Sequence, residues 1–89
     1  MLYCLICHDK EKAIETRMQN REDHLKYVAE TNVVKYAGPF LSEDDTMIGS
    51  LIVIDVKSKN EAKKWSENDP YKKAGLFGKV EIFKFKHLI

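Results

Sequence analysis

The chain has 89 residues and a formal net charge of +1, with 15 lysines and arginines against 14 acidic residues. This length predicts a single domain, residues 1–89, with a core of modest size. The balanced charge argues against nucleic acid as a partner, because phosphate binding requires a basic surplus on one face. No apolar run approaches the roughly 20 residues of a membrane helix, and the start lacks a signal-peptide pattern, so we expect no membrane association and a cytoplasmic location.

The first predicted strand covers Leu2 to His8 and is apolar at every position up to Cys7. A strand that is apolar on both faces is typical of a sheet covered on both sides. The strand contains both cysteines, Cys4 and Cys7, in a C-x-x-C pattern. Residues three apart in a strand point to opposite faces, so we expect two buried thiols rather than a disulfide or zinc site. The three histidines also lack zinc-ligand spacing, and neither a metal nor a cofactor is expected.

A helical pattern extends from Asp9 to Glu30. Its apolar residues recur at helical spacing and form one stripe, which comprises Ile14, Met18, Leu25 and Val28. Arg21 falls within this stripe, where a guanidinium is costly unless a polar partner meets it. His24 and Arg17 lie at the edge of the same face. The inner flank of the helix is therefore predicted to carry a cationic and imidazole cluster.

Two strands follow this helix. The run from Val33 to Phe40 ends at a Gly-Pro pair and predicts an edge strand, because proline cannot donate to a ladder. An acidic loop, Leu41 to Thr46, leads into a strand from Met47 to Val56 that is apolar on both faces and is predicted to be central. Gly49 and Ser50 interrupt its apolar run, which indicates a close approach to the backbone there.

The second helix begins with a capping box, in which Ser58 is the N-cap and Glu61 is the third helical residue. It is predicted to end at about Glu67. The side chains expected to point inward are Ala62, Trp65 and Ser66.

A tight turn and a last strand complete the chain. Asp69 suits the N-cap of a short helical turn, Pro70 its first position, and Gly75 the left-handed residue that closes it. The last strand is predicted from Lys79 to His87. Its alternation slips at 82–83, which suggests a bulge at that point.

The order of elements is β-α-β-β-α-β, the ferredoxin-like α+β arrangement with an antiparallel four-stranded sheet. Right-handed crossovers place both helices on one face of that sheet. The first and third strands are nevertheless apolar on both faces, so something must cover the second face. A second copy packed sheet against sheet is the simplest cover, and we expect a homodimer through the open sheet face.

Five segments of the chain, taken in order, match the pattern of a known family. They are Arg21-Glu22-Asp23-His24-Leu25, Gly38-Pro39, Gly49-Ser50, Glu61-Ala62 and Asp69-Pro70-Tyr71-Lys72-Lys73-Ala74-Gly75-Leu76-Phe77. Together, the R-x-x-H and D-P-Y/F-x-x-A-G-L segments resemble the YciI-like (YCII-related) family over essentially the whole chain. The resemblance implies a dimeric α+β barrel in which His24 and Asp69 form a pair, in a pocket between sheet and helices.

The same resemblance bears on activity. The family includes a dehydrochlorinase of aromatic degradation, and other dimeric α+β barrels are isomerases and monooxygenases that act on small cyclic compounds. The loop from Leu41 to Thr46 is shorter here than in longer members. Because such a loop would help to line the pocket mouth, the resemblance predicts fold and site better than substrate.

The implied pair of His24 and Asp69 predicts a general acid or base. A carboxylate that accepts a hydrogen bond from one imidazole nitrogen fixes the tautomer and leaves the other nitrogen for proton transfer. Arg21 is then a candidate for binding a substrate anion, and Ser50 and Tyr71 are candidate hydrogen-bond partners. The predicted function is proton transfer, in elimination or isomerisation, on a small anionic or phenolic molecule, without a covalent nucleophile.

Each of these residues also has a structural interpretation. Asp69 suits an N-cap before Pro70, and His24 suits a hydrogen-bonded histidine at a helix flank. Arg21 could pair with a neighbouring acid or with an acid of a second copy, and Ser50 could simply be a small residue. Two other functions therefore stay open. One is a non-catalytic dimeric module that binds a small molecule or a protein, and the other is a structural pair that locks the helix to the turn.

Overall fold

The computed structural model describes all 89 residues, which form four strands and three helices. The elements are β1 (Leu2–Asp9), α1 (Ile14–Thr31), β2 (Val34–Leu41), β3 (Met47–Asp55), α2 (Lys59–Glu67), α3 (Pro70–Lys73) and β4 (Phe77–Phe85). The strands form one antiparallel sheet in the order β2-β3-β1-β4, so the predicted ferredoxin-like α+β fold is confirmed. No helix of the chain is both long enough and apolar enough to cross a membrane.

The two central strands, β1 and β3, carry the core on the face that the helices cover. Leu5 pairs with Ile52 and Tyr3 pairs with Ile54, and all four side chains are buried. Pro39 lies in β2 at the edge of the sheet, as the sequence predicted, because β2 bonds to β3 alone. Burial of each large apolar side chain contributes about 1.5–3 kcal/mol to folding. The buried side chains of β1 and β3 therefore stabilise the packing of the helices on the sheet.

The start of the first helix differs from the prediction. α1 begins at Ile14 and not at Asp9, which is the last residue of β1. The chain turns between these two residues, with Lys12 in the left-handed region at φ 53°. The sequence predicts an earlier start because residues 10–13 are all good helix formers. Here the preceding strand overrides their helix propensity.

The face that α1 turns toward the sheet also differs from the prediction. Three residues of the predicted stripe are 36%, 52% and 46% exposed, namely Ile14, Met18 and Leu25. Val28 packs against the core as predicted. Two residues of the predicted cationic and imidazole cluster, Arg17 and His24, are buried as expected, whereas Arg21, which the stripe placed inward, is exposed. This orientation is stable because acidic partners from other elements meet Arg17 and His24 inside the protein.

Contacts between α1 and α2 fix this orientation. The hydroxyl of Tyr27 donates to the backbone carbonyl of Trp65 at 2.7 Å, and the indole Nε1 of Trp65 donates to Oγ1 of Thr31 at 2.9 Å. The rings of Tyr27 and Trp65 also pack with centroids 5.0 Å apart. Because Tyr27 and Thr31 follow His24 at helical spacing, these bonds turn the His24 side of α1 toward the interior.

The start of α2 has the predicted cap. The side-chain oxygen of Ser58 accepts the backbone N–H of Glu61 at 3.1 Å, and a carboxylate oxygen of Glu61 accepts the N–H of Lys57 at 2.9 Å. The carboxylate therefore reaches one residue further back than in the standard capping box. The three residues predicted to point inward, Ala62, Trp65 and Ser66, are buried.

The Asp-Pro turn also forms as predicted. Asp69 is the N-cap of α3, its carboxylate accepts the backbone N–H of Tyr71 at 3.0 Å, and Pro70 is the first helical residue. Gly75 closes the turn in the left-handed region at φ 77°. This short helix places the side chain of Asp69 against α1.

The last strand begins and ends earlier than predicted. β4 covers Phe77–Phe85 and not Lys79 to His87, because the chain is already extended when it leaves the turn. The predicted bulge at 82–83 is also wrong. The register shifts where Asp9 pairs with Phe77 and His8 pairs with Lys79, so the extra residue in β4 is Gly78.

The face of the sheet opposite the helices is rich in large apolar side chains. We call it the open face; the strand register places Cys4, Tyr36, Phe40, Phe83 and Phe85 on it. The four aromatic side chains among them are exposed. A single copy of the chain therefore presents an apolar sheet surface, and the expected homodimer would cover it.

Candidate functional site

His24 on α1 and Asp69 at the start of α3 meet inside the protein. Nδ1 of His24 lies 2.7 Å from Oδ1 of Asp69, and the two residues are 7% and 1% exposed. The same oxygen accepts the backbone N–H of Tyr71 at 3.0 Å. Because an ionised carboxylate only accepts hydrogen bonds, Nδ1 carries the hydrogen and Nε2 is the acceptor in the neutral imidazole.

The ring of Tyr71 packs against this imidazole. The rings of Tyr71 and His24 are stacked, with centroids 4.0 Å apart and planes 12° apart. Burial raises the pKa of Tyr71, an effect that the charges of Arg17 and Arg21 partly oppose. Tyr71 is therefore a neutral phenol at neutral pH, able to donate a hydrogen bond.

A buried ion pair lies beside the dyad. Nε and Nη2 of Arg17 donate to the two carboxylate oxygens of Asp9, each at 2.8 Å, and Nη2 also donates to Oγ of Ser50 at 2.9 Å. The guanidinium carbon is 4.8 Å from the centroid of the Tyr71 ring. Burial lowers the pKa of Arg17, but the hydrogen bond and charge of Asp9 outweigh burial, and the pKa is raised. Arg17 is therefore a permanent cation in the interior.

Arg17 and Asp9 are not among the site residues predicted from the sequence, although the sequence places Arg17 in the cationic and imidazole cluster of α1. Its helical spacing places Arg17 on the same flank as His24, but the apolar stripe favours Arg21 as the anion-binding residue. The helical pattern also assigns Asp9 to the start of α1. The sequence nevertheless contains a pattern that indicates this pair. Asp9 directly follows an apolar strand, and the next helix carries Arg17 and His24, which are seven residues apart and share a face.

A cavity of about 260 Å³ lies over these side chains. Its polar lining consists of Arg17, Arg21, His24, Ser50 and Tyr71. The rest of its wall includes Leu25, Ala37, Pro39, Met47 and Ile52. The structure therefore brings together all five residues predicted from sequence, with Asp69 behind His24 and the other four at the cavity.

The free ring nitrogen of His24 is accessible at this cavity. Every fully buried side-chain nitrogen and oxygen in the protein has a hydrogen-bond partner. Nε2 of His24 has no partner in the protein, so it is not fully buried, and His24 lines the cavity. An imidazole held by a carboxylate on one side and open on the other can accept or return a proton at Nε2.

The cysteines lie on opposite faces of the sheet, as their spacing predicted. Both are free thiols, with Cys7 buried under the helices and Cys4 on the open face. Burial, together with the negative charge of Asp69, raises the pKa of Cys7 to about 12. The Cys7 thiol is therefore protonated at neutral pH and is not an activated nucleophile. No group of three or more His, Cys, Asp or Glu side chains is placed to hold a metal ion.

The sequence as a whole matches a known family. The family model described as the YCII-related domain matches residues 1–86. The chain belongs to the YCII-related family. An uncharacterised relative from Haemophilus influenzae is 30% identical over 95 residues, covering 97% of each chain. Protein YciI from Escherichia coli is 28% identical over 95 residues, again covering 97% of each chain. The predicted resemblance to this family is thus confirmed.

Solved structures share the fold of this YCII-related protein. The 5-chloro-2-hydroxyhydroquinone dehydrochlorinase (TftG) from Burkholderia phenoliruptrix, in complex with 2,5-dihydroxybenzoquinone, has a TM-score of 0.88 and 30% identity. The match covers 98% of this chain and 95% of that one. An antibiotic biosynthesis monooxygenase, matched over the whole of both chains, has a TM-score of 0.60 at 7% identity and shares the fold alone.

Proposed function

We propose that this YCII-related protein is an enzyme that transfers a proton on a small anionic or phenolic molecule. His24 is the general base and acid, and Asp69 is the residue that orients it. The observation that supports this most directly is the 2.7 Å contact between Nδ1 of His24 and Asp69, with Nε2 accessible at the cavity.

The proposed reaction begins with proton removal by Nε2 of His24. The carboxylate of Asp69 stabilises the imidazolium that forms, because the two groups are then an ion pair shielded from water. In an isomerisation, Nε2 returns the proton to a different atom of the same molecule. In an elimination, the electron pair of the broken C–H or O–H bond forms a new double bond, and the leaving group departs with its own electron pair.

The substrate class follows from the lining of the cavity and from one relative. Cationic and phenolic groups face a space of about 260 Å³, which suits a single ring that carries acidic oxygens. The similar dehydrochlorinase is named for a chlorinated hydroxyhydroquinone and was solved with a dihydroxybenzoquinone. Both are single six-membered rings with several oxygen substituents, and we infer hydroxylated, acidic rings as the first class to test.

A homodimer belongs to the same proposal. Exposed aromatic side chains of the open face, such as Phe83 and Tyr36, would be covered if two copies packed sheet against sheet. Large apolar patches of this kind mark interaction surfaces more often than free surface. We also keep the cytoplasmic location inferred from the sequence as part of the proposal.

The alternative function is a dimeric module that binds a small molecule or a protein without turning it over. One observation favours it: Oδ1 of Asp69 already caps α3 through the N–H of Tyr71, which accounts for this aspartate without catalysis. The same cavity would then serve as a binding site.

The test compares the wild type with His24→Asn and with a matched control, His87→Asn, at an exposed histidine in the C-terminal tail. Binding is measured by calorimetry with 2,5-dihydroxybenzoquinone, and turnover by chloride release and ultraviolet absorbance on chlorinated and hydroxylated hydroquinones. We expect wild-type and His87→Asn protein to turn over a member of this panel, and His24→Asn to bind the quinone without turnover. Binding without turnover in all three proteins would favour the binding module.

A further inference from the structure

The cavity is polar at its floor and largely apolar at its mouth. The floor is the buried part of the lining, where Ile52 lies beside four polar residues that are between 3% and 7% exposed, namely Arg17, His24, Ser50 and Tyr71. The mouth is the rest of the lining, and most of its side chains are apolar. Soluble proteins usually show the opposite arrangement, with apolar groups inside and polar groups outside. The lining therefore matches a ligand whose polar end lies inward and whose apolar end lies outward.

The apolar side chains of the mouth come from the first helix and from two strands. Leu25 directly follows His24 on α1 and is 46% exposed. Met47 begins β3 and is half-buried. On β2, the strand register places Ala37 opposite Ile52 and Pro39 opposite Ser50, so both point toward the cavity. These side chains border the mouth on both the helix side and the sheet side.

The proposed homodimer would leave this mouth exposed to water. The cavity lies on the helix-covered side of the sheet, whereas the two copies would pack through the open face on the other side. A ligand that covers Leu25 and Met47 would gain affinity, because burial of apolar surface is favourable. The unbranched methionine side chain also adapts its shape to what it contacts.

Arg21 is the charged residue of the mouth, and it is exposed. A long arginine side chain can keep its guanidinium in water while its hydrocarbon stem lies along apolar surface. Exposed charges of this kind add little to an interaction, because water and salt screen them. Arg21 is therefore compatible with an apolar group at the mouth.

We propose that the ligand of this cavity is an acidic ring that carries a hydrocarbon chain, and that the chain lies at the mouth against Leu25 and Met47. These two side chains then determine specificity for the substituent, while the ring lies at the polar floor. The inference rests on the proposed function and narrows its substrate class from hydroxylated acidic rings to amphipathic ones.

The test uses three ligands that share one ring. They are 2,5-dihydroxybenzoquinone, its 3-hexyl derivative and its 3-(5-carboxypentyl) derivative, whose chain has the same number of carbon atoms but ends in a carboxylate. Binding is measured by calorimetry for the wild type, for the double variant Leu25→Ser with Met47→Ser, and for Met18→Ser. Met18→Ser is the matched control, because it removes an exposed apolar side chain of α1 that does not line the cavity.

We expect the wild type and Met18→Ser to bind the hexyl derivative roughly 10- to 100-fold more tightly than the parent quinone. Each fully buried methylene is worth about 4-fold in affinity, and a chain at the mouth is only partly buried. The double variant should bind the parent quinone within about 3-fold of the wild type and should gain less than about 3-fold from the hexyl chain. The carboxylate chain should gain less than the hexyl chain in the wild type, because its charged end resists loss of water.

Three results would overturn the inference. Equal gains from the hexyl chain in the wild type and in the double variant would place the chain elsewhere, for example on the open face. A carboxylate chain that binds more tightly than the hexyl chain would show that Arg21 sets the chemistry of the substituent. A wild type that gains nothing from the hexyl chain would show that the mouth does not hold it.

Leu25→Ser alone keeps the test decisive if the double variant does not fold. This substitution lies on the exposed side of a helix and should still reduce the gain from the hexyl chain by roughly 3- to 10-fold. An unchanged gain in Leu25→Ser would overturn the role of Leu25.

Failure of this inference is distinguishable from failure of the proposed reaction. A gain from the hexyl chain that depends on Leu25 and Met47, without turnover of any compound, upholds the inference and removes the reaction. Turnover of a hydroxylated ring without any such gain upholds the reaction and overturns the inference. A wild type that binds neither the parent quinone nor its hexyl derivative overturns the inference as well.

Discussion

Nδ1 of His24 and Oδ1 of Asp69 lie 2.7 Å apart although the two residues are separated by 45 positions in the sequence. The contact joins the middle of α1 to the start of α3. The same oxygen of Asp69 accepts the backbone N–H of Tyr71, so one atom both caps a helix and orients an imidazole. These two roles are separable, because asparagine caps helices about as well as aspartate but carries no charge.

Asp69→Asn should therefore keep the cap and weaken the dyad, whereas Asp69→Ala should remove both. We expect Asp69→Asn to change the free energy of unfolding by less than about 1 kcal/mol and Asp69→Ala to lower it by about 1–3 kcal/mol, measured in urea. The ¹⁵N chemical shifts of the His24 ring should report hydrogen at Nδ1 in the wild type and a tautomer mixture in Asp69→Asn. Identical ring shifts in the two proteins would leave Asp69 with its capping role alone.

Gly49 is predicted to be intolerant of any side chain. A Cβ atom there would lie 2.4 Å from the backbone carbonyl oxygen of Cys7 on the neighbouring strand, so β1 and β3 would have to separate. Gly49→Ala should lower the free energy of unfolding by about 2–3 kcal/mol or prevent folding. Gly38→Ala is the matched control, because a Cβ at Gly38 meets no atom within 4 Å, and its effect should be within about 0.5 kcal/mol. Equal effects of the two substitutions in urea unfolding would contradict this packing.

The parts of the fold that could be predicted depend on neighbours in sequence. Ser58 caps α2 through the N–H of Glu61, and Asp69 caps α3 next to Pro70, because the atoms involved lie within a few residues of one another. The close approach of another backbone segment to Gly49 could also be predicted, because a glycine that interrupts an apolar strand often marks such a contact. The pairing of His24 with Asp69 came from the family resemblance and not from such local rules.

The parts that could not be predicted depend on partners that are distant in sequence. The apolar stripe assigned Arg21 to the inner face of α1, because that rule assumes that the sheet-facing side of a helix is apolar. Arg17 and His24, which the sequence placed only at the edge of that side, occupy it, and each is stabilised there by a carboxylate, Asp9 or Asp69, from outside the helix. The rule fails where buried polar groups satisfy one another, which is also where the candidate site lies.

The buried thiol of Cys7 should make the protein less stable at alkaline pH. Burial raises its pKa from the ordinary 9.0 to about 12, with a further contribution from Asp69. Above pH 9.0 the unfolded chain releases the thiol proton of Cys7, while the folded chain retains it. The contribution of the buried thiol to the free energy of unfolding is therefore complete below pH 9.0 and is lost as the pH rises toward 12. Relative to Cys7→Ala, the wild type should lose up to about 1.4 kcal/mol of unfolding free energy per pH unit in that range. Parallel pH profiles in urea unfolding would contradict the burial of this thiol.

A charge on the open face should convert the proposed homodimer into a monomer. Phe83 is an exposed aromatic residue opposite Cys4 in the sheet, and Phe83→Glu would place a carboxylate between two packed sheets, where it has no partner. We expect light scattering to give a dimer for the wild type and a monomer for Phe83→Glu. The matched control is Met18→Glu, which puts the same charge on the exposed side of α1 and should leave the dimer intact. A wild type that is monomeric at high concentration, or a Phe83→Glu variant that stays dimeric, would exclude sheet-to-sheet packing as the cover of the open face.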